Sequence, residues 1–411
     1  MDVGFVILLL STIIILGYIG ELIFKKFGIP DTLFLVALGF VIGPSGLGII
    51  EPESLSVFAP IFITVTLVFL LFDGALTIDL KSFSEAIAPG LAIAFFNFCL
   101  SALFICGILL LMKFDFLVAA MVGFCLGGVS SAFTIPVLKK IEPRKQIYSI
   151  LTLEAAVTDV LAIVLALAMI ELKILNKFHV KTIFSQITGL FAIAGMVGTF
   201  AGFLWIFLQQ KFVDNDKYHM VTVAYVFLVY LLTEYLGGNG AIASMFFGIV
   251  LANSKLLMEL LGRIRRRKSP AEKGNSQDSI KPVVSKRERM FHDEISFFLK
   301  TFFFVYIGML LNINDGTAWL LGGVIAAGLM LLRLASCWLV RGYDKVDRKL
   351  IHSLFARGIA SAVIMLMAVR RGMNPEALIL NTVYVVISTT ILLSSLRVFL
   401  FRLYMKHQEG K

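Results

Sequence analysis

The chain has 411 residues, of which 59% are hydrophobic and only 16% charged, with a formal net charge of +10. Soluble domains are typically about 45–50% apolar and about 25% charged. Together with a mean hydropathy of +0.92, the composition excludes a soluble protein and indicates an integral membrane protein made of helices and short loops.

Apolar segments long enough to cross a bilayer follow one another along the whole chain. We therefore predict an all-α polytopic membrane protein, a single transmembrane domain with about thirteen spanning helices. The predicted spans are residues 3–24, 32–49, 55–73, 86–112, 116–138, 147–171, 183–209, 217–236, 239–256, 292–313, 317–340, 350–370 and 375–402. The first span follows Asp2 and has no basic leader, so we interpret it as a retained helix and not a signal peptide.

The placement of positive charge predicts the orientation of the spans. Alternating the loops between two sides puts 28 of the 37 Lys and Arg residues on the side of the C-terminus and 6 on the other. The positive-inside rule then predicts an external N-terminus and a cytoplasmic C-terminus. The compact chain favours the plasma membrane of a prokaryote. The basic segment Gly262–Arg289 is most simply a cytoplasmic loop, although it could also bind anionic lipid head groups.

Several kinds of chemistry lack their sequence signals. The four cysteines fall within predicted spans without CxxC spacing, so we expect neither a disulfide nor a metal site: Cys99, Cys106, Cys125 and Cys337. The GxGxxA match at Gly237–Ala243 lies at a turn between two spans, outside a dinucleotide-binding context. We expect no organic cofactor, no nucleic-acid partner and no enzymatic activity, since protease motifs such as HExxH are missing.

Two triplets of predicted spans indicate an internal repeat. Spans four to six and spans eleven to thirteen are offset by an odd number, which gives them opposite orientations, as in inverted-repeat transporters. The middle span of each triplet is interrupted. The first interruption contains Ser130 and Pro136 in GGVSSAFTIPVLKK, and the second contains Arg357, Gly358 and Ser361 in FARGIASAVIM. Two broken helices facing one another would create an ion site from freed carbonyls and helix ends.

Two acids lie inside the sixth predicted span, LTLEAAVTDVLAIVLALAM. A charge at the bilayer centre costs roughly 2.5–3.5 kcal/mol on insertion scales, so such acids are functional candidates. We interpret Asp159 as a carboxylate that binds Na⁺ or a proton, the alternative being an ion pair with a base from another helix. Glu154 lies about 7.5 Å along the axis and about 140° around it, so the two acids point in different directions. Arg333 is the expected base for Glu154.

Other polar residues near the two acids have open roles. Thr158 and Thr134 could offer hydroxyl oxygens to an ion, or could bond their own helices. Asp73 could line a negative vestibule, or could be an interfacial acid. We expect Lys300 to snorkel to the membrane surface, the alternative being a pairing with Asp159. Arg357 could likewise be interfacial, but the glycine and the polar run that follow it favour a role at the second break.

Several of these motifs resemble the monovalent cation/proton antiporter superfamily. EAAVTD is similar to its sixth-helix motif, GIPDTLFLVALGFVIGPSGLGII to its second helix, TEYLGGNGAIASMFFGIVLANS to its eighth and ninth helices, FFFVYIGMLLN to its tenth, and SSAFTIPV to its broken helix. The resemblance covers nearly the whole chain. It implies an ion-binding role for Asp159, with Thr134 and Asp73, a structural pair of Glu154 and Arg333, and an auxiliary role for Arg357. Two residues depart from the electroneutral branch: Thr158 replaces Asn or Asp, and Ile135 replaces Asp.

The resemblance also implies a domain arrangement and an activity. It implies a homodimer, with a translocating core at about 86–171 and 317–402, scaffold helices at about 1–73 and 183–256, a linking helix at about 292–313 and a basic loop at about 257–291. The expected activity is exchange of Na⁺, Li⁺ or K⁺ for H⁺ at a midplane carboxylate, closer to the electroneutral branch. The alternatives are a sodium-coupled symporter of an organic anion, an electrogenic K⁺/H⁺ exchanger and a channel.

Overall fold

The structure is a computed structural model that describes residues 3–27, 31–51, 58–76, 87–175, 180–212, 218–257, 286–339, 341–373 and 375–409. Most of the predicted basic loop, residues 258–285, lies outside the described residues. Within these ranges the secondary structure is helical, with fifteen α-helices and one 3₁₀ turn. The described residues therefore confirm the predicted all-α fold class.

The helices follow the apolar segments of the sequence. α1 to α5 span Val3–Phe27, Asp31–Ile42, Ala59–Ala75, Ile87–Leu111 and Phe116–Cys125. α6 to α10 span Ser131–Ile141, Lys145–Leu175, Val180–Phe212, Tyr218–Tyr235 and Gly240–Ala252. α11 to α15 span Lys286–Met309, Gly316–Ala335, Lys345–Ser353, Ile359–Arg370 and Ala377–Glu409.

Five helices in the described part of the chain are long and apolar enough to cross a membrane by length and composition. They are α4, α7, α8, α12 and α15. Seven shorter apolar helices or helix segments accompany them. The count of thirteen spans remains a prediction.

The ends of two predicted spans differ from the helices that form. α2 ends at Ile42, not at residue 49, because the chain turns at Gly43–Pro44 and proline cannot donate to a preceding helical carbonyl. α13 begins at Lys345, ahead of the predicted span, since the KVDRKLIHS segment is strongly amphipathic and polar. Hydropathy alone misses such a helix, because its apolar residues cover one face only.

The chain divides into two compact units. The first unit comprises Met1–Thr66, Glu85–Ile187 and Phe297–Lys411, and contains both predicted triplets. The second unit comprises Leu67–Ser84 and Thr188–Ser296.

Each triplet of the first unit consists of a long helix, a broken helix and a second long helix. The first is α4, the α5–α6 pair and α7, and the second is α12, the α13–α14 pair and α15. The first break covers residues 126–130, ahead of Pro136, which lies inside α6. Pro136 is the sixth residue of α6, where it lacks the N–H that would bond the Ala132 carbonyl, yet the helix continues to Ile141. The break itself comes before α6 and contains two glycines, at positions 127 and 128.

Candidate functional site

The two helix breaks of the first unit contact each other directly. The Ser130 N–H, at the end of the first break, donates to the Ala356 carbonyl in the second break at 2.9 Å. A Cβ at Gly358 would overlap the Ser130 side chain. The backbones therefore approach closely at this point, and glycine is needed for lack of space and not for its backbone freedom.

The second break, residues 354–358, is held in an extended form by hydroxyls of α15. The Thr390 Oγ1 accepts from the Arg357 N–H at 3.1 Å, and the Ser394 Oγ accepts from the Phe355 N–H at 3.3 Å. Ser394 also donates to the Ser353 carbonyl at 2.5 Å. Non-helical backbone at membrane depth must be satisfied within the protein, and these hydroxyls supply the missing partners.

Asp159 lies on α7 and meets the start of α6. Its Oδ2 accepts from the Ser131 backbone N–H at 3.2 Å and from the Ser131 Oγ at 2.5 Å. The first N–H groups of a helix have no partner within the helix and carry partial positive charge. A carboxylate placed there is stabilised in the same way as an anion bound at a helix N-terminus. Asp159 is only 8% exposed, so water supplies little of this stabilisation.

Arg357 reaches from the second break to the end of α5. Its Nη1 donates to the carbonyls of Gly127 and Gly128 at 2.9 and 2.5 Å, and its Nη2 donates to the Ser101 Oγ at 3.0 Å. These carbonyls lie just past the C-terminus of α5, where the helix dipole is negative. The buried guanidinium therefore supplies donors and positive charge to a helix end that lacks both.

The structure brings Glu154 and Arg333 together. Both Glu154 oxygens accept from the Arg333 guanidinium, the Oε2 from Nη2 at 2.8 Å and the Oε1 from Nη1. Asn97 Nδ2 donates to the Glu154 Oε1 at 3.0 Å, and Arg333 Nε donates to the Ile351 carbonyl at 3.0 Å. Both side chains of the pair are almost fully buried. This bidentate pair ties α7 to α12.

The predicted threonine ligands have different surroundings. The Thr158 Oγ1 accepts from the Val129 N–H at 3.0 Å and donates towards the Ala155 carbonyl at 3.2 Å, so this hydroxyl supports the first break. Thr134 is only 1% exposed, and its Oγ1 has no hydrogen-bond partner within the described part of the chain.

The remaining auxiliary serine, Ser361, cross-links the two broken helices. Its Oγ donates to the Cys125 carbonyl at 2.7 Å, and the Cys125 Sγ donates to the Ser361 carbonyl at 3.1 Å. Cys125, Cys99 and Cys106 are free thiols. The side chain of Cys337 lies outside the described residues.

Lys300 neither snorkels nor pairs with Asp159. Its Nζ donates to the Asp31 Oδ2 at 2.6 Å, and the Lys300 and Asp31 side chains are 14% and 4% exposed. The Lys300 ammonium is thus held by a buried carboxylate on α2, and the predicted snorkelling to the membrane surface is wrong. Asp73 belongs to the second unit, where its Oδ2 accepts from the Ser296 Oγ at 2.6 Å.

The sequence matches the model of a known protein family. The model of the family described as sodium/hydrogen exchanger, transmembrane, matches residues 10–402. The chain belongs to the sodium/hydrogen exchanger family. This family is one of membrane transporters, and the chain is accordingly a multi-pass membrane protein.

Curated relatives of this exchanger-family chain include two potassium/proton antiporters. It is 22% identical over 379 residues to K(+)/H(+) antiporter NhaP2 of Shewanella sp. (strain ANA-3), covering 90% of this chain and 61% of the relative. It is 25% identical over 268 residues to K(+)/H(+) antiporter NhaP of Alkalimonas amylolytica, covering 62% and 45%. The chain thus spans less than two thirds of the length of either relative.

The fold is that of a solved exchanger. The structure of the sodium proton antiporter MjNhaP1 from Methanocaldococcus jannaschii matches with a TM-score of 0.76 at 20% identity, covering 96% of both chains. An electron-microscopy structure of the same antiporter matches with a TM-score of 0.72 at 19% identity. The resemblance drawn from the sequence motifs is therefore confirmed at the level of family and fold.

Four polar residues that bond predicted residues are not themselves among those predicted from the sequence: Ser131, Asn97, Ser101 and Asp31. Three of them are neutral, so they carry no charge that would mark them in an apolar segment. Asp31 is the first residue of α2, a position where an acid is common, so the sequence does not mark it as a partner for a buried base.

Proposed function

We propose that the chain is a secondary antiporter that exchanges a monovalent cation for H⁺ at Asp159. The observation that carries this proposal is the Asp159 carboxylate at the start of α6, beside the point where the two broken helices touch. Discontinuous helices build substrate and ion sites in transporters with inverted repeats.

The mechanism follows from competition for one carboxylate. Asp159 can hold a proton or a metal cation, but a bound proton removes the negative charge that attracts the cation. If the site changes its facing side only when Asp159 is occupied, each inward passage of one ion requires an outward passage of the other. The rigid pair of Glu154 and Arg333 supports such a movement, because it keeps α7 and α12 together.

One-for-one electroneutral exchange is the stoichiometry we propose. Glu154 is neutralised by Arg333 and Lys300 by Asp31, so of the acids described at the helix breaks Asp159 is the one we propose to exchange its ion. Na⁺, Li⁺ and K⁺ are the candidate cations. The names of the relatives favour testing K⁺ alongside Na⁺, since two are potassium/proton antiporters and MjNhaP1 is a sodium/proton antiporter.

We further propose a homodimer in the plasma membrane, with an external N-terminus and a cytoplasmic C-terminus. The asymmetry of Lys and Arg supports this orientation. In this arrangement α4 to α7 and α12 to α15 form the translocating core, and no organic cofactor takes part. Chemical cross-linking of the purified protein in lipid would test the dimer.

Proteoliposomes with an enclosed pH dye and a clamped membrane potential provide the test. Addition of Na⁺, Li⁺ or K⁺ should release internal protons from vesicles containing the wild type. Asp159→Asn should abolish the signal for every cation. Asp115→Asn, which replaces an exposed acid at the start of α5, should retain it, because asparagine also caps a helix. Exchange retained by Asp159→Asn would contradict the single-carboxylate mechanism.

A further inference from the structure

We propose that the Ser131 hydroxyl is a cation ligand at Asp159 and that it determines the preference among monovalent cations. This inference rests on the proposed antiport function. It concerns a residue outside the acids and threonines that the sequence motifs single out, and it follows from the geometry at the start of α6.

Ser131 makes two contacts with the same carboxylate oxygen. Its N–H and its Oγ both lie within hydrogen-bond distance of the Asp159 Oδ2, at 3.2 and 2.5 Å. The N–H is fixed by the backbone, but the hydroxyl hydrogen can rotate about the Cβ–Oγ bond. A cation that approaches Asp159 can therefore turn the Ser131 hydrogen away and use the Oγ lone pairs that remain.

A second hydroxyl stands one turn further along α6. Residues i and i+3 of a helix share a face, which places Thr134 on the same side as Ser131. The Thr134 Oγ1 is buried and has no hydrogen-bond partner within the residues that the structure describes. A buried hydroxyl without a partner is costly, so its presence here points to a ligand that the described residues do not supply.

The other polar groups nearby are already committed to the protein. Thr158 bonds the first break, Glu154 is bound by Arg333, and Arg357 binds the end of α5. The side chain of Ile135, where a related branch carries an acid, contributes no oxygen. Ser131 is thus the neutral oxygen closest to the Asp159 carboxylate among the contacts found in the described chain.

This ligand set has a definite chemical character. A carboxylate and hydroxyl oxygens suit hard cations, and one negative charge balances one monovalent ion. Smaller cations hold their hydration water more tightly, so they depend more on each oxygen that the protein supplies in exchange. Removal of the Ser131 oxygen should consequently harm Li⁺ and Na⁺ more than K⁺.

The test is the concentration dependence of exchange for Li⁺, Na⁺ and K⁺ in proteoliposomes, at one fixed pH. In Ser131→Ala the half-saturating concentrations of Li⁺ and Na⁺ should rise about tenfold, the loss of one modest interaction, and that of K⁺ should rise less. Ser131→Thr should restore the wild-type order. The control Ser395→Ala removes a buried hydroxyl that bonds only its own helix, and it should leave all three values unchanged.

The remaining outcomes overturn the proposal. Unchanged values in Ser131→Ala, or an equal rise for all three cations, would show that the hydroxyl supports the fold and does not bind the ion. If Ser131→Ala does not fold, Ser131→Cys provides the comparison, because sulfur is a poor ligand for hard cations. A wild-type preference in Ser131→Cys would then contradict the proposal. Failure of the antiport function is a separate result, since the wild type would show no exchange with any cation.

Discussion

The Asp159 carboxylate and the Arg357 guanidinium bind opposite ends of one helix break. Asp159 accepts from the first residue of α6, and Arg357 donates to the carbonyls that follow α5. The two half-helices direct a positive dipole end at Asp159 and a negative one at Arg357. Each charge therefore matches the helix end that it contacts.

The first prediction concerns Arg357. Arg357→Gln should destabilise the protein, because charged hydrogen bonds to the Gly127 and Gly128 carbonyls contribute about 1.5–3 kcal/mol each and their loss leaves buried acceptors unsatisfied. Arg357→Lys should be less harmful, since it keeps the charge but cannot donate in a fork. Melting temperature in detergent and exchange in proteoliposomes are the measurements.

The exposed Arg371 supplies the control for this prediction. Its ion pair with Glu171 is partly solvated, and such pairs contribute about 0–1 kcal/mol. Arg371→Gln should therefore melt close to the wild type. A similarly small effect of Arg357→Gln would show that the end of α5 finds other donors.

The second prediction concerns the close contact of the two breaks. Gly358→Ala would place its Cβ 2.5 Å from the Ser130 Cβ and in overlap with the Ser130 Oγ. The overlap should cost about 1–3 kcal/mol by overpacking, and it should weaken exchange by displacing the bond between Ser130 and Ala356. Thermal melting and proteoliposome exchange would detect both effects.

A suppressor variant makes this second prediction specific. Ser130→Gly removes the two side-chain atoms that the new Cβ would overlap, so the double variant should be more stable than Gly358→Ala alone. The control Gly323→Ala lies on α12 in open space and should be neutral or slightly stabilising. Additive losses in the double variant would mean that Gly358 is required for a reason other than this contact.

The sequence predicts the charged residues of the site better than the neutral residues that bond them. Glu154 and Arg333 are each expensive in an apolar helix, so the sequence indicates that they meet, and the structure brings them together. Ser131 carries no charge and its role depends on the rotation of α6 about its axis, which tertiary packing sets. From the sequence, Lys300 could reach the membrane surface or pair with Asp159. The structure pairs it with Asp31 instead, a contact that depends on the packing of α2 against α11.

The third prediction concerns Lys300 and Asp31. Lys300→Met leaves a buried Asp31 carboxylate unpaired, whereas Asp31→Asn leaves an ammonium that is partly exposed and can reach water. Lys300→Met should therefore lower the melting temperature more than Asp31→Asn. The double variant should show a coupling energy of about 0.5–3 kcal/mol, as expected for residues in contact.

Transport by the Lys300 variants tests the proposed stoichiometry. If Lys300 takes no proton from the site, exchange by Lys300→Met should be as insensitive to membrane potential as exchange by the wild type. Lys173→Met removes one member of an exposed ion pair with Asp115 and is the matched control. A wild type that responds to the potential, and a Lys300→Met variant that does not, would indicate electrogenic exchange through Lys300.

The last prediction concerns the pair of Glu154 and Arg333. Glu154→Gln should cost about 3–5 kcal/mol, because it leaves the buried Arg333 guanidinium without an opposite charge. The protein that still folds should exchange cations with the wild-type half-saturating concentration, since Glu154 bonds to Arg333 and Asn97 and not to Asp159. Glu154→Leu with Arg333→Met should recover part of the lost stability, because two apolar side chains remove both buried charges at once. Glu171→Gln, in an exposed pair, is the control. A normal melting temperature combined with lost exchange in Glu154→Gln would instead place Glu154 in the transport pathway and leave the link between α7 and α12 to other contacts.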